Sequence, residues 1–119
     1  MDKSSVTEAA DTLAAELQAL ARRGGLRTWR LRGRELLPVV QGGMGVGVSA
    51  ASLAGTVAGL GGVGTVSAVD LRRRHPDLMV ATAHLDKEPD ARERIDTANL
   101  VALDREIRGA KALAQGRGL

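Results

Sequence analysis

A stretch of 34 residues without a single charge, residues 36–69, constrains this chain more than any other feature. It reads LLPVVQGGMGVGVSAASLAGTVAGLGGVGTVSAV, and it holds nine of the fifteen glycines of a 119-residue chain in which 26% of the residues are charged. An apolar run around Pro38 (Leu36, Leu37, Val39, Val40) meets a glycine cluster of Gly42, Gly43, Gly45 and Gly47. Small residues follow, then Gly61, Gly62 and Gly64, then a run rich in β-formers over residues 63–69. That order reads as strand, turn, helix, turn, strand, a βαβ unit of a parallel sheet. Strands of such a sheet are buried on both faces, which accounts for the missing charge.

The glycines after the first strand are where a ligand is expected. Lacking a Cβ, they let a ligand lie directly on the main chain. Ser49 suits the N-cap of the following helix, whose free N–H groups would face the same place. A phosphate or a flat, electron-rich ring fits such a turn. Gly45, Gly47 and Ala50 also match G-x-G-x-x-A, and Asp70 stands where a ribose-binding acid would stand in a dinucleotide fold. The register is poor, because Gly45 comes five residues after Val40. Sliding the motif back puts Val48 where helix–strand packing wants glycine. A membrane span is a further reading, since Gly43/Gly47 and Gly55/Gly59 fit G-x-x-x-G. Pro38, Gln41 and several Ser and Thr break the hydrophobicity, and no apolar block of about 20 residues survives.

The flanks are amphipathic and charged. Residues 1–25 form an N-terminal segment without the features of an export signal. Ser5 and Glu8 make a capping box; Val6, Ala10, Leu13, Leu17 and Leu20 repeat at helical spacing, and Gly24 and Gly25 end the helix. Residues 26–119 are read as the remaining domain. Over residues 26–35, Trp29 and Leu31 alternate with Thr28, Arg30 and Arg32, and Gly33 marks a turn, so a short hairpin strand with Trp29 as a core plug is expected. In the central helix Leu53, Val57 and Leu60 share one face, and Gly55, Ala58 and Gly59 keep the adjacent side thin enough to pack on a sheet. Residues 70–96 carry 13 charges in 27 positions and read as a solvated connection. Asp96 then caps a last helix with Leu100, Leu103, Ile107, Ala110 and Ala114 on its buried side and an i,i+4 pair of Asp104 with Arg108.

Charge and cysteine usage exclude several classes. Arg72, Arg73 and Arg74 have no aromatic neighbours on which bases would stack, so no nucleic acid is expected. A net charge of +3 is modest, and there are no cysteines, hence no disulfides and no thiolate chemistry. His75-x-Asp77 and His84-x-Asp86 are the only hints of metal ligation, and both histidines read as surface residues. A cytoplasmic protein is expected, without a membrane anchor.

The segment VVQGGMGVGVS followed by SLAGTVAGLGGVGTVSAV resembles the opening of the nitronate monooxygenase family, also called 2-nitropropane dioxygenases. The shared pattern is P-[IV]-[IV]-Q-G-G-M-G, then S-x-x-L-A-x-x-V-A, then G-G-[LV]-G-x-[IV]-S, and the resemblance runs from Leu31 to Leu119. It implies an α/β fold, the N-terminal part of a TIM (β/α)8 barrel with about two βα units after the first helix. A complete barrel takes about 250 residues, so a fragment of a longer enzyme is expected. The resemblance also implies FMN as cofactor, with Gly42, Gly43, Met44 and Gly45 beside the isoalloxazine ring and Ser67 lining the same cavity. The family oxidises nitronates or nitroalkanes with oxygen to carbonyl compounds and nitrite, using a His and phosphate-binding loops that come later in the chain. No catalytic residue is therefore expected here. The related FMN-dependent enoyl-thioester (enoyl-acyl-carrier-protein) reductases are the alternative, and a non-catalytic remnant or interaction module is the alternative of another class. With barrel strands missing, self-association through open strand edges is expected.

Overall fold

The computed structural model describes residues 3–119, with the backbone only at Lys3 and Asp86. Met1 and Asp2 of the 1–25 segment, and the Asp86 side chain of the His84-x-Asp86 pair, lie outside the described residues. Helix α1, Lys3–Arg23, follows the 3.5-residue rhythm of its apolar row. It ends where the Gly24 N–H bonds the Leu20 carbonyl at 2.9 Å and Gly25 takes φ 70°. Because the helix already runs at Lys3, Ser5 lies inside its first turns, and the Ser5/Glu8 pair does not start it. The apolar row is uncovered: Val6, Leu13 and Leu20 are 50%, 45% and 57% exposed. An ion pair of 2.7 Å between Asp11 and Arg117 ties α1 to the C-terminal segment.

A two-stranded antiparallel hairpin follows, β1 (Trp29–Leu31) and β2 (Arg34–Leu36), with Trp29 opposite Leu36 and Leu31 opposite Arg34. Arg32 and Gly33 turn it with φ 51° and 78°, the pair of left-handed residues that a two-residue hairpin turn takes. Trp29 is not a core plug. It is 39% exposed, lying at the hairpin's edge with its indole N–H donating to the Leu37 carbonyl at 3.0 Å.

Three more helices complete the chain: α2 (Ala51–Gly59), α3 (Pro76–Ala81) and α4 (Ala91–Ala114), with single 3-10 turns at Leu71–Arg74 and Leu85–Lys87. The core is α2 against α4. Ala54, Gly55, Ala58 and Gly59 of α2 are buried, as are Ala98, Ala102, Glu106 and Ala114 of α4. The axes come so close that a Cβ on Gly55 would stand 2.7 Å from Leu113 Cβ, and one on Gly109 2.9 Å from Ala51 Cβ. That proximity decides which face of α4 is inside. Small residues fit the contact, so Leu100 is left 66% exposed and Ile107 37% exposed, contrary to the apolar face read from the sequence. The thin face of α2 is likewise matched by a helix rather than a sheet. α4 begins at Ala91, ahead of the expected cap at Asp96, and the connection before it is not wholly solvated, for Leu71 is fully buried. The Asp104–Arg108 pair is present at 2.8 Å.

The fold class expected from the sequence, an α/β chain of βα units opening a TIM barrel, is overturned. The chain is mainly helical, its two named strands form one antiparallel hairpin, and βα units do not alternate among the described residues. Where two parallel strands were expected, at residues 36–40 and 63–69, there is one parallel bridge, Val40 with Val63, flanked by the bonds Leu37 N–H to Gly61 O and Gln41 N–H to Val63 O, both 2.9 Å. The ladder stops there because other groups take the next donors. The Thr65 N–H bonds the Gln41 side-chain carbonyl at 3.1 Å, and the Ser67 N–H bonds the Ser49 carbonyl at 2.9 Å. Leu36, expected to begin a buried strand, instead closes the hairpin. Among the described residues no helix is long and apolar enough to cross a membrane.

Candidate functional site

The glycine turn of residues 41–49 is held by two side chains, Gln41 and Ser49. Ser49 is fully buried, and its Oγ accepts the Met44 N–H at 2.8 Å while donating to the Gly42 carbonyl at 3.1 Å. The Ser49 N–H closes the loop on the Met44 carbonyl at 2.9 Å. Gln41 Nε2 donates to Ser49 Oγ at 2.7 Å, and its Oε1 reaches across to Thr65. Buried polar groups cost stability unless bonded, and here each hydrogen bond fixes the turn as well. Ser49 is therefore not the N-cap of α2. That position is Ala50, which has no side-chain oxygen to offer.

Of the five residues singled out in the sequence, Gly43 and Gly45 come to lie against Ser67. A Cβ on Gly43 would meet Thr65 Cγ2 at 3.6 Å and Ser67 Cβ at 3.8 Å, and one on Gly45 would meet Val69 Cβ at 3.1 Å and Ser67 Oγ at 3.6 Å. Gly42 faces open space. Met44 is 45% exposed, and around the turn Val39, Val40, Val46, Val48 and Val69 are between 48% and 59% exposed. The result is bare glycine backbone rimmed by apolar side chains. A flat ring fits such a surface, because it can stack on the peptide planes while the rim removes water from its edges.

The far side of the turn is strapped by a cluster that sequence reasoning missed. Arg74 Nη1 donates to the Gly47 carbonyl at 3.0 Å, and Arg74 Nε lies 3.5 Å from Glu106 Oε1. Gly47 has φ 72°, and a Cβ there would stand 2.8 Å from Arg74 Cδ, so only glycine lets the strap lie this close. Glu106, on α4 and 7% exposed, accepts the Ala51 N–H at 2.7 Å and so caps α2 from another helix. His75 Nε2 stands 3.1 Å from Glu106 Oε1, off the direction of a hydrogen bond. The one signal in the sequence was a lone acid in the series Ala98, Ala102, Glu106, Ala110, all on one helical stripe.

The basic run beside the turn is partly paired, two arginines sharing one carboxylate. Arg72 Nε is 3.0 Å from Asp70, Arg73 is bonded to the same carboxylate, and Arg72 Nη1 donates to Thr82 Oγ1 at 3.0 Å. The bonded Arg73 guanidinium holds the Asp70 carboxyl below the usual carboxylate range, with the charges of Arg72 and Arg73 adding to the effect against the cost of burial. Asp77 is held low in the same way by its two-pronged pairing with Arg105 on α4, at 2.8 and 3.0 Å. No group of three metal-ligating side chains occurs among the described residues. A separate groove of about 640 Å³ runs between α2, α4, the hairpin turn and the C-terminal residues, with Arg32, Arg34 and Lys111 on its rim, and contains none of the five residues. No protein-family model matches the chain, and neither does a curated protein or a solved structure.

Proposed function

We propose that this chain is the flavin-contacting part of an FMN-dependent oxidoreductase of the nitronate monooxygenase type, with the isoalloxazine ring lying on the turn of Gly42, Gly43, Met44 and Gly45 and edged by Ser67. The observation that supports it most is the turn itself, an exposed glycine backbone locked by Ser49 and Gln41 inside an apolar rim. The P-V-V-Q-G-G-M-G motif now has a physical sense, because its Gln and the Ser that follows are the residues that hold the turn open. Bound FMN would supply the electron-accepting chemistry for oxidising a nitronate or nitroalkane with oxygen to a carbonyl compound and nitrite. The chain's own part is to bind and orient one face of the ring and keep water from it. Residues 42–49 of the turn include no titratable side chain, so the turn itself supplies no general base. Lacking cysteine, the chain is compatible with the cytosol, where we place it. An exposed apolar patch is also what an interaction module carries, and flavin binding separates the two readings.

A ring system of about 18 non-hydrogen atoms at roughly −0.3 kcal/mol each gives a dissociation constant near 0.1–1 mM, so weak binding to this chain is expected. Gly43→Val tests the assignment. Its Cβ would make ordinary contacts with Thr65 and Ser67, and the branched side chain beyond it covers the backbone on which the ring lies. Quenching of flavin fluorescence should weaken at least about tenfold in the variant, the loss of a direct stacking surface. Unchanged binding, with the fold intact by circular dichroism, would make Gly43 a turn residue and nothing more.

A further inference from the structure

We propose that the groove between α2, α4 and the hairpin turn is a binding site for a small amphiphilic anion, an aliphatic chain with a carboxylate at one end. The site is separate from the glycine turn, whose residues do not line it, and it does not depend on that turn taking a flavin. The groove follows from the packing of the two helices. Ala54 and Ala58 of α2 and Ala110 and Ala114 of α4 present side chains too short to fill the space up to the hairpin turn and the C-terminal residues. About 640 Å³ is left, a volume within the range of ordinary small-molecule sites. Alanine methyl groups and the Ile107 side chain line it, and an aliphatic chain laid there loses contact with water at no cost in hydrogen bonds.

The charge around the groove has one sign. Arg32, Arg34 and Lys111 line it, and no acidic side chain does. Arg34 donates to the Gly118 carbonyl, which occupies one N–H and leaves the charge uncompensated. Arg32 and Lys111 enter no ion pair among the described residues. Elsewhere Arg72, Arg73, Arg74, Arg105, Arg108 and Arg117 each have a carboxylate as neighbour, so the groove is where positive charge is left over. Cations beside an apolar trough favour a ligand that is negative at one end and aliphatic over the rest. A carboxylate also matches the two-pronged geometry of a guanidinium. A neutral chain would leave the three charges unanswered, and an organic cation would be repelled.

The test follows amide chemical shifts of the isotope-labelled whole chain during titration with decanoate below its micellar concentration. Shifts should fall on Ala58, Ala110, Ala114 and Gly116 and spare Gly43 and Gly45, so the result is distinct from flavin binding at the turn. Decyltrimethylammonium, with the same tail and the opposite charge, should bind at least about tenfold more weakly. Octanoate should bind about fourfold more weakly than decanoate, through the loss of two half-buried methylenes. Arg32→Asn combined with Lys111→Gln removes two charges at exposed positions, and asparagine tolerates the φ of 51° at residue 32. Arg34 stays in place for its bond to Gly118. The double variant should weaken decanoate about fivefold, the scale of two exposed charge contacts, and leave decanol within about twofold. The wild-type comparisons need no variant and decide the matter even where the substitutions harm folding. Equal binding of decanoate and decyltrimethylammonium, shifts confined to the apolar row of α1, or no shifts at the groove would overturn the proposal. A response at the groove to vesicles of an anionic phospholipid but not to free decanoate would make this face a membrane contact and would overturn it as well.

Discussion

Gly64→Ala is expected to abolish cooperative folding of this chain. Residue 64 passes so close under α2 that a Cβ there would stand 2.0 Å from the Ala54 carbonyl oxygen and 2.6 Å from its carbon. Both are backbone atoms of a helix clamped on its other side by α4, so neither side can yield without opening the α2–α4 core. Overpacking of this kind costs more than about 3 kcal/mol, a large share of the stability of a small domain. The Gly64 N–H also bonds the Leu119 carbonyl at 2.6 Å, a tie that would be lost with the displacement. Urea denaturation followed by circular dichroism reads the effect. Gly42→Ala is the matched control, because a Cβ there meets nothing within 4 Å, and it should stay within about 0.5 kcal/mol of the wild type. Equal stability of the two variants would contradict the packing described here.

Self-association is the second large effect to expect. The radius of gyration is 17.6 Å, where a compact chain of this length has about 13–14 Å. The excess comes with an α1 whose apolar row is uncovered, Val6, Leu13 and Leu20 being about half exposed. Isolated helices of this length are marginal in water without a packed face. The open strand edges inferred from the sequence amount to three-residue strands and the segment beyond Val63. The helix therefore offers the larger surface, and its spacing of 3 and 4 residues suits pairing with a second copy. Each large aliphatic side chain so buried contributes about 1.5–3 kcal/mol. Light scattering should give a mass above the 12.4 kDa of the monomer, and Leu13→Glu with Leu20→Glu should return it toward that value. A monodisperse wild-type monomer would contradict this.

The helices and the ligand turn were legible in the sequence to different depths. Apolar spacing located α1 and α2, and Gly33 located the hairpin turn, because these signals are local. Across the turn, Gly43 and Gly45 lie against Ser67, and Gln41 and Ser49 hold the turn from within the same stretch. The parallel sheet did not form, because pairing there is decided by competition. Gln41 and Ser49 take the donors of Thr65 and Ser67 that a ladder would need. The buried face of α4 was misread for a related reason. Large apolar residues are expected inside by periodicity, whereas the glycine face of α2 is met mainly by small residues of α4, with Leu113 against Gly55 and Glu106 bonded to Ala51. Glu106 was out of reach of sequence reasoning altogether, since its partners Ala51, Arg74 and His75 are 31 to 55 positions away. A carboxylate's role depends on what the fold places beside it.

The central claim, that a flavin ring lies on the glycine turn, is tested most directly by mapping amide chemical shifts of the isotope-labelled chain during a riboflavin titration. The largest changes should fall on Gly42, Gly43, Met44, Gly45 and Ser67, with Ser49 following through its bonds to the turn, and with little change in the groove at Ala58, Ala114 and Gly116. Shifts confined to that groove or to α1, or no shifts at the turn at saturating riboflavin, would contradict the account.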